Sequence, residues 1–170
     1  MGLTLFILIT MILQNELYIF TDGSCHTQHG IGAWVAIIVI AGQKIILSDT
    51  VFNTTHQQME LLAVIKALEN IIRQELAQVS INLVTDSQYV TGLPPREVKL
   101  MEQKFITKKG GPIANTHLVK TLLQLLRVVP VKLIKIKAHQ KQTAATNYNI
   151  EADKLSRYLV RQAVTKFLNQ

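Results

Sequence analysis

The order of strand-like and helix-like segments constrains the fold of this chain more than any other feature. Five runs rich in Ile, Val and Leu have the length of β-strands: residues 17–22, 31–40, 44–52, 80–85 and 131–137. The turn signal Ala41-Gly42-Gln43 joins the second and third runs as a hairpin. Helical patterns separate the later runs. This order predicts an α/β fold with a five-stranded mixed sheet, an antiparallel hairpin followed by parallel strands, flanked by helices.

Polar residues at the starts of apolar periodic segments predict where the helices begin. Three residues are expected to be N-caps: Thr55, Asn115 and Asn149. Gln58, three residues after the first cap, completes a capping-box pattern. A shorter helix is predicted to start at Ser87, to break at Pro94-Pro95 and to resume over residues 96–103. Residues 108–112, with two lysines, two glycines and a proline, are predicted to be a basic loop.

The chain is predicted to form one domain over residues 16–168, after an apolar lead-in at residues 1–15. The lead-in is too short for a membrane-spanning helix, which needs roughly 20 residues, so no membrane partner is expected. No lysine or arginine precedes Lys44 and no cleavage pattern follows, so secretion is not expected. A remnant of an upstream domain is the favoured interpretation, with a weak membrane-targeting segment as the alternative.

Charge and cysteine content narrow the partners and the compartment. The 170 residues carry a net charge of +7, which favours a polyanionic partner, nucleic acid above all. The alternative is a basic enzyme without a nucleic-acid role. A single cysteine, Cys25, excludes an internal disulfide and is typical of a reducing compartment. Cys25, His26 and His29 could suggest zinc, but the spacing matches no standard finger, and a loop is the preferred interpretation.

Four carboxylates are predicted to stand at the ends of these segments. Asp22 closes the first strand and Asp86 closes the fourth, while Glu60 and Asp153 are placed in the first turns of two helices. Acids gathered at such ends repel one another unless a cation joins them, and Mg²⁺ prefers oxygen ligands. Each acid alone also fits a turn, a helix cap or a favourable place near a helix N-terminus. The full set favours metal-assisted phosphoryl chemistry.

Five short motifs appear in a fixed order along the chain. They are Thr21-Asp22-Gly23-Ser24, Gln57-Gln58-Met59-Glu60-Leu61, Thr85-Asp86-Ser87-Gln88-Tyr89, His139-Gln140-Lys141 and Asn149-Ile150-Glu151-Ala152-Asp153. Together they resemble the type 1 ribonuclease H family, in particular the RNase H domain of retroviral and retroelement reverse transcriptases. The resemblance covers roughly residues 16–166. It implies an RNase H-like fold and cleavage of the RNA strand of RNA–DNA hybrids with two Mg²⁺ ions, for which Mn²⁺ could substitute.

The resemblance also implies roles for the acids and their neighbours. Asp22, Glu60, Asp86 and Asp153 would bind the metal ions and be catalytic. Asp22 would bridge both ions and Asp153 would hold the ion that activates water. His139 would assist proton transfer or product departure, and Asn149 would support the loop around the last acid.

Nucleic-acid contacts are the third group of roles that the resemblance implies. The residues expected to touch the hybrid are Ser24, Gln57, Gln88, Tyr89, Lys104, Lys108 and Lys109. For Tyr89 the alternative is packing inside a helix, and for His139 it is an ordinary loop histidine. Short polar side chains suit sensing of the 2′-OH, and lysines suit contacts to phosphates.

Departures from the family pattern leave other functions open. Ala138 and Tyr148 stand where relatives often have glycine, and residues 105–115 resemble a connecting loop better than a basic helix. Weak independent binding of the hybrid is therefore expected, with a polymerase domain of the same polyprotein as a further partner. The alternatives are an inactive hybrid-binding or scaffold module derived from a retroelement and an integrase-like or resolvase-like nuclease. A cytoplasmic, nuclear or viral-particle location and no obligate oligomer are expected.

Overall fold

The computed structural model describes residues 16–77, 79–137 and 147–169. The predicted lead-in and His139 therefore lie outside the described residues. Eleven elements follow one another in the described part. They are β1 (Glu16–His26), β2 (Ile31–Ile40), β3 (Gln43–Phe52), α1 (His56–Arg73), β4 (Ser80–Thr85), α2 (Gln88–Thr91), a 3-10 turn (Pro94–Arg96), α3 (Glu97–Glu102), α4 (Thr116–Val128), β5 (Val131–Lys135) and α5 (Asn147–Leu168). No helix among the described residues combines the length and apolar character needed to cross a membrane.

The described strands form one five-stranded sheet in the order β3-β2-β1-β4-β5. The β1–β2 and β2–β3 pairs are antiparallel, whereas β1–β4 and β4–β5 are parallel. The predicted mixed sheet, with its antiparallel hairpin and later parallel strands, is confirmed. The predicted second and fourth strands match β2 and β4 residue for residue, and the fifth is two residues shorter than predicted.

Helices cover both faces of this sheet. The larger core lies on the face that packs against α1 and α4, and it includes Leu17, Ile19 and Leu83. The smaller core lies on the opposite face, where α5 covers Phe20 and Ile37. Because β1 occupies the centre of the sheet, its side chains face α1 on one side and α5 on the other. Any functional group near the end of β1 therefore lies within reach of both helices.

The N-terminus of α1 follows its prediction. The Thr55 side chain accepts a hydrogen bond from the backbone N–H of Gln58 at 3.3 Å, and the Gln58 side chain accepts one from the Thr55 N–H at 3.1 Å. This is the reciprocal capping box that the sequence predicts. It fixes where α1 begins and hence where its first turns point.

The other two predicted caps depart from prediction in different ways. Asn115 occupies the N-cap position of α4, as predicted, but it has the left-handed conformation (φ 56°) and its side chain makes no capping hydrogen bond. The side chain donates to the Tyr89 hydroxyl at 3.5 Å instead. Asn149 does not cap α5, because that helix already begins at Asn147. Asn149 is the third residue of the helix. The apolar pattern alone does not show which of several nearby asparagines begins it.

The positions of three acids within their elements also differ from prediction. Asp22 does not end its strand, because β1 continues to His26 through antiparallel pairing with β2. Glu60 is the fifth residue of α1 and Asp153 the seventh residue of α5, so neither acid is in a first turn. The ends of β1 and α5 depend on long-range pairing and packing, which local patterns do not report.

Candidate active site

Parallel pairing brings Asp22 and Asp86 to the same edge of the sheet. The β1–β4 pairing ends at Phe20 and Val84. Asp22 on β1 and Asp86, just after β4, each lie two residues beyond that last pair. Parallel strands lie about 4.8 Å apart, so both carboxylates leave the sheet at the same level.

Gly23 lets α1 approach β1 closely enough to add Glu60. A Cβ at this glycine would lie 2.4 Å from the backbone N of Glu60 and 2.5 Å from the carbonyl carbon of Met59. No side chain fits in that space, so the Thr-Asp-Gly sequence is a packing requirement as well as a motif. The close contact places Glu60 beside Asp22 from one face of the sheet.

The long helix α5 brings Asp153 from the opposite face. Its Ala152 is fully buried against the sheet with Phe20 and Val35, which fixes the rotation of the helix. Asp153 follows directly and points toward the end of β1. All four acids then line one cavity of about 760 Å³.

Burial and crowding of like charges set the electrostatics of this cavity. Burial raises the pKa of Asp22 to about 7; a hydrogen bond from Ser156 opposes the rise, and the charges of Asp153, Asp86 and Glu60 add to it. Burial also raises the pKa of Glu60, against the effects of Ser87 and His56. A bound cation would offset the burial and the repulsion that make these carboxylates hard to ionise, so the pKa shifts are consistent with a cation site.

Three neighbouring polar side chains contact the acids. The Ser156 hydroxyl donates to Asp22, Arg157 Nε lies 2.8 Å from Asp153 Oδ1, and His56 Nδ1 lies 3.4 Å from Glu60 Oε1. As these side chains stand, no three His, Cys, Asp or Glu residues in the described part already form a coordination cluster. The donor set itself, four carboxylates around one open cavity, fits hard divalent cations that take oxygen ligands.

Asn149 adds one more oxygen to the cavity. It lines the wall, and its buried Oδ1 has no hydrogen-bond partner within the described chain. Buried polar atoms are rarely left unpaired. An amide oxygen beside four carboxylates is therefore a further feature that suits a cation or its water.

The structure separates the predicted nucleic-acid residues into two groups. Ser24 and Gln88 line the cavity, whereas the others do not: Gln57, Tyr89, Lys104, Lys108 and Lys109. Gln57 and the three lysines are exposed. The Tyr89 hydroxyl donates to the Ala114 carbonyl at 3.4 Å, and its ring packs on the main core. That environment corresponds to the packing alternative.

The cluster of Cys25, His26 and His29 lies partly in a strand and not wholly in the predicted loop. Cys25 and His26 are the last residues of β1, and the Cys25 thiol donates to the Thr54 carbonyl at 3.5 Å. The rings of His26 and His29 stack with centroids 4.8 Å apart. The strand continues here because β2 pairs with it as far as Ile31.

Sequence inspection missed four residues that touch the acids. They are His56, Ser87, Ser156 and Arg157. His56 precedes Glu60 by four residues and Arg157 follows Asp153 by four, which is the spacing of neighbours on one helix face. This four-residue spacing could have identified both His56 and Arg157. Ser156 meets Asp22 from a distant part of the chain, and no local pattern reports such a contact.

Comparison with known proteins gives consistent matches. A family model described as RNase H matches residues 14–161. Ribonuclease H from Caldicellulosiruptor saccharolyticus is 31% identical over 151 residues, which cover 88% of this chain and 99% of that protein. Ribonuclease H from Neorickettsia sennetsu is 33% identical over 146 residues, which cover 85% and 92%.

Solved structures show the same fold. LC9-RNase H1, described as a type 1 RNase H with the type 2 active-site motif, has a TM-score of 0.69 at 22% identity and covers 86% of this chain and 72% of its own. The RNase H domain described as PFV has a TM-score of 0.67 at 22% identity, with 85% and 94% coverage. A foamy viral protease-reverse transcriptase in complex with an RNA/DNA hybrid has a TM-score of 0.67 at 19% identity, and covers 88% of this chain and 20% of that one.

Proposed function

This chain belongs to the ribonuclease H family, and from that premise we propose that it hydrolyses the RNA strand of RNA–DNA hybrids with two divalent cations, Mg²⁺ by preference. The products are a 5′-phosphate and a 3′-hydroxyl. One observation carries the proposal: four acids from β1, α1, the end of β4 and α5 line a single cavity. Their convergence from four separate elements supports a shared role.

Each side chain has a defined task in this proposal. Asp22, Glu60, Asp86 and Asp153 would hold the cations. Bound there, divalent cations supply the Lewis acidity that polarises the scissile phosphate and lowers the pKa of the attacking water. The carboxylates orient the reacting groups in a partly buried cavity, where electrostatic effects are stronger than in bulk water. Ser24 and Gln88, on the cavity wall, are placed to contact the nucleic acid beside the cut.

Proton transfer or product departure is assigned to His139, as the family resemblance implies. The lysines Lys104, Lys108 and Lys109 are assigned to phosphates further along the hybrid. They are exposed, and phosphate contacts position the substrate without reading its sequence. Gln57 is assigned to the minor groove, because it is exposed one turn before Glu60.

A retroelement context is a finer part of the proposal. The fold likeness to a foamy viral protease-reverse transcriptase supports it. A polymerase domain in the same polyprotein would then supply much of the hybrid affinity. We expect the isolated chain to have a high KM that falls when a hybrid-binding module is fused to it.

The test is cleavage of a labelled hybrid by the purified chain. With Mg²⁺ we expect cuts in the RNA strand only, and Asp86→Asn should remove most of the activity because one cation ligand is lost. Asp49→Asn is the matched control, since Asp49 is an exposed acid on β3, outside the cavity. Full activity of Asp86→Asn would overturn the assignment. Tight hybrid binding without cleavage, in Mg²⁺ and in Mn²⁺, would favour an inactive binding module.

A further inference from the structure

The hydroxyl of Ser156 lies at the contact between α5 and β1. Ser156 is fully buried and stands one turn after Asp153 on the same helix. Its Oγ donates to Asp22 Oδ2, and it also lies 3.0 Å from the Asp153 backbone carbonyl. A hydroxyl carries one proton. A carboxylate accepts more strongly than a neutral carbonyl, so the proton points to Asp22.

Serine has no packing advantage at this place. In a helix interior it competes with the backbone for hydrogen bonds, and a buried hydroxyl costs free energy unless it is paired. The partner that Ser156 finds outside its own helix is Asp22. The main role of the hydroxyl is therefore its hydrogen bond to the Asp22 carboxylate, not stabilisation of the helix.

The bond also restricts which oxygen of Asp22 is free. With Oδ2 engaged by Ser156, Oδ1 is the oxygen left to face the cavity. Ligands of a metal are commonly held in place by hydrogen bonds from a surrounding layer of residues, whose removal typically weakens metal binding 10- to 100-fold. Ser156 has the position and the donor for such a role.

We propose that Ser156 is a positioning residue that orients Asp22 for cation binding by holding its Oδ2 against α5. The inference deepens the proposed function and rests on it. It adds a residue outside the five motifs that carry the family resemblance. It also means that α5 supplies one acid directly and fixes a second one.

The test compares Mg²⁺ binding and Mg²⁺-dependent cleavage in the full-length chain. Ser156→Ala should raise the Mg²⁺ concentration for half-maximal cleavage about tenfold, with most of the rate recovered at saturating Mg²⁺. Calorimetric titration with Mg²⁺ alone, without substrate, should show the same weakening. Ser156→Cys keeps the size but offers a weak donor, so it should fall between wild type and alanine.

Thr165→Ala is the matched control, because it removes an exposed hydroxyl from the same helix far from the cavity. It should leave both Mg²⁺ curves unchanged. Unfolding curves in EDTA would show that each variant is folded. Unchanged Mg²⁺ binding by folded Ser156→Ala or Ser156→Cys would overturn the inference, even if stability fell. If wild type binds Mg²⁺ without cutting, and Ser156→Ala weakens that binding, the positioning role stands while the proposed function fails.

Discussion

At the scale of single residues, Asp22 combines more constraints than any other acid of the cavity. It is placed by β1, crowded by three other acids and bonded by Ser156. Burial raises its pKa to about 7, against an ordinary value of 3.8. Folding therefore makes Asp22 harder to ionise than in the unfolded chain. The consequence is a pH dependence of stability in the metal-free protein.

We expect the metal-free chain to lose stability as pH rises from about 4 to about 7. An acid whose pKa is raised on folding contributes stability that is fully present below its unfolded pKa and lost as pH rises through its folded value. For Asp22 the loss amounts to at most about 4 kcal/mol. Urea unfolding in EDTA across this range measures it. In Asp22→Asn the loss should be clearly smaller, the remainder coming from Glu60, whose pKa burial also raises. Asp49→Asn should follow wild type, and parallel curves for wild type and Asp22→Asn would contradict the assignment.

Sequence patterns identified the four acids but not their immediate partners. The acids are recognisable because each stands in a short motif of characteristic composition. His56 and Arg157 could have been added from their spacing of four residues to Glu60 and Asp153. Ser156 could not, because its contact with Asp22 joins residues 134 positions apart.

At the scale of elements, α1 depends on its N-terminal cap. The capping box joins Thr55 and Gln58, and Gln58 Oε1 also accepts from the Thr54 hydroxyl at 2.9 Å. Glu60 and the close contact at Gly23 lie within the next turn. The cap therefore stabilises the part of α1 that belongs to the cavity.

We expect Thr55→Ala to cost about 1 kcal/mol of unfolding free energy, because one N–H at the helix start loses its acceptor. Chemical denaturation measures the loss. Amide hydrogen exchange should accelerate most over residues 56–59. Thr55→Ser keeps the accepting oxygen and should remain close to wild type. An equal loss in both variants would show that the methyl group, rather than the cap, stabilises this region.

Element boundaries were predictable where the signal was local and not where it was tertiary. The capping box of α1 and the β2–β3 hairpin follow from adjacent residues. The continuation of β1 beyond Asp22 does not, since Gly23 and Ser24 have the composition of a turn. Pairing with β2 overrides that preference, as tertiary contacts commonly do.

At the scale of the whole molecule, the positive charge favours the binding of a polyanion such as the proposed hybrid. The net charge is +7, and exposed lysines occur on the loop after α3. That loop is ordered by a bond from the Thr107 hydroxyl to the Gly111 carbonyl at 3.0 Å. It presents Lys108 and Lys109 at its tip.

We expect the double variant Lys108→Ala/Lys109→Ala to bind hybrid more weakly and with a flatter dependence on salt. Each lost phosphate contact should lower the slope of log K against log salt by roughly one. Fluorescence anisotropy measures the hybrid affinity and its salt dependence over about 50 to 200 mM salt. Lys166→Ala, near the far end of α5, removes a charge away from the cavity and should keep the wild-type slope. An equal loss of affinity per removed charge in the two variants would show that overall charge, rather than the position of these lysines, sets binding.

The last described helix brings one cavity acid and the hydroxyl that reaches Asp22. During translation, β1, α1 and β4 are therefore synthesised before Asp153. Until α5 has been added, the three earlier acids lack both Asp153 and the hydrogen bond from Ser156 to Asp22. The complete set of four acids, and any cation site that needs all of them, can therefore form only after α5 has been synthesised.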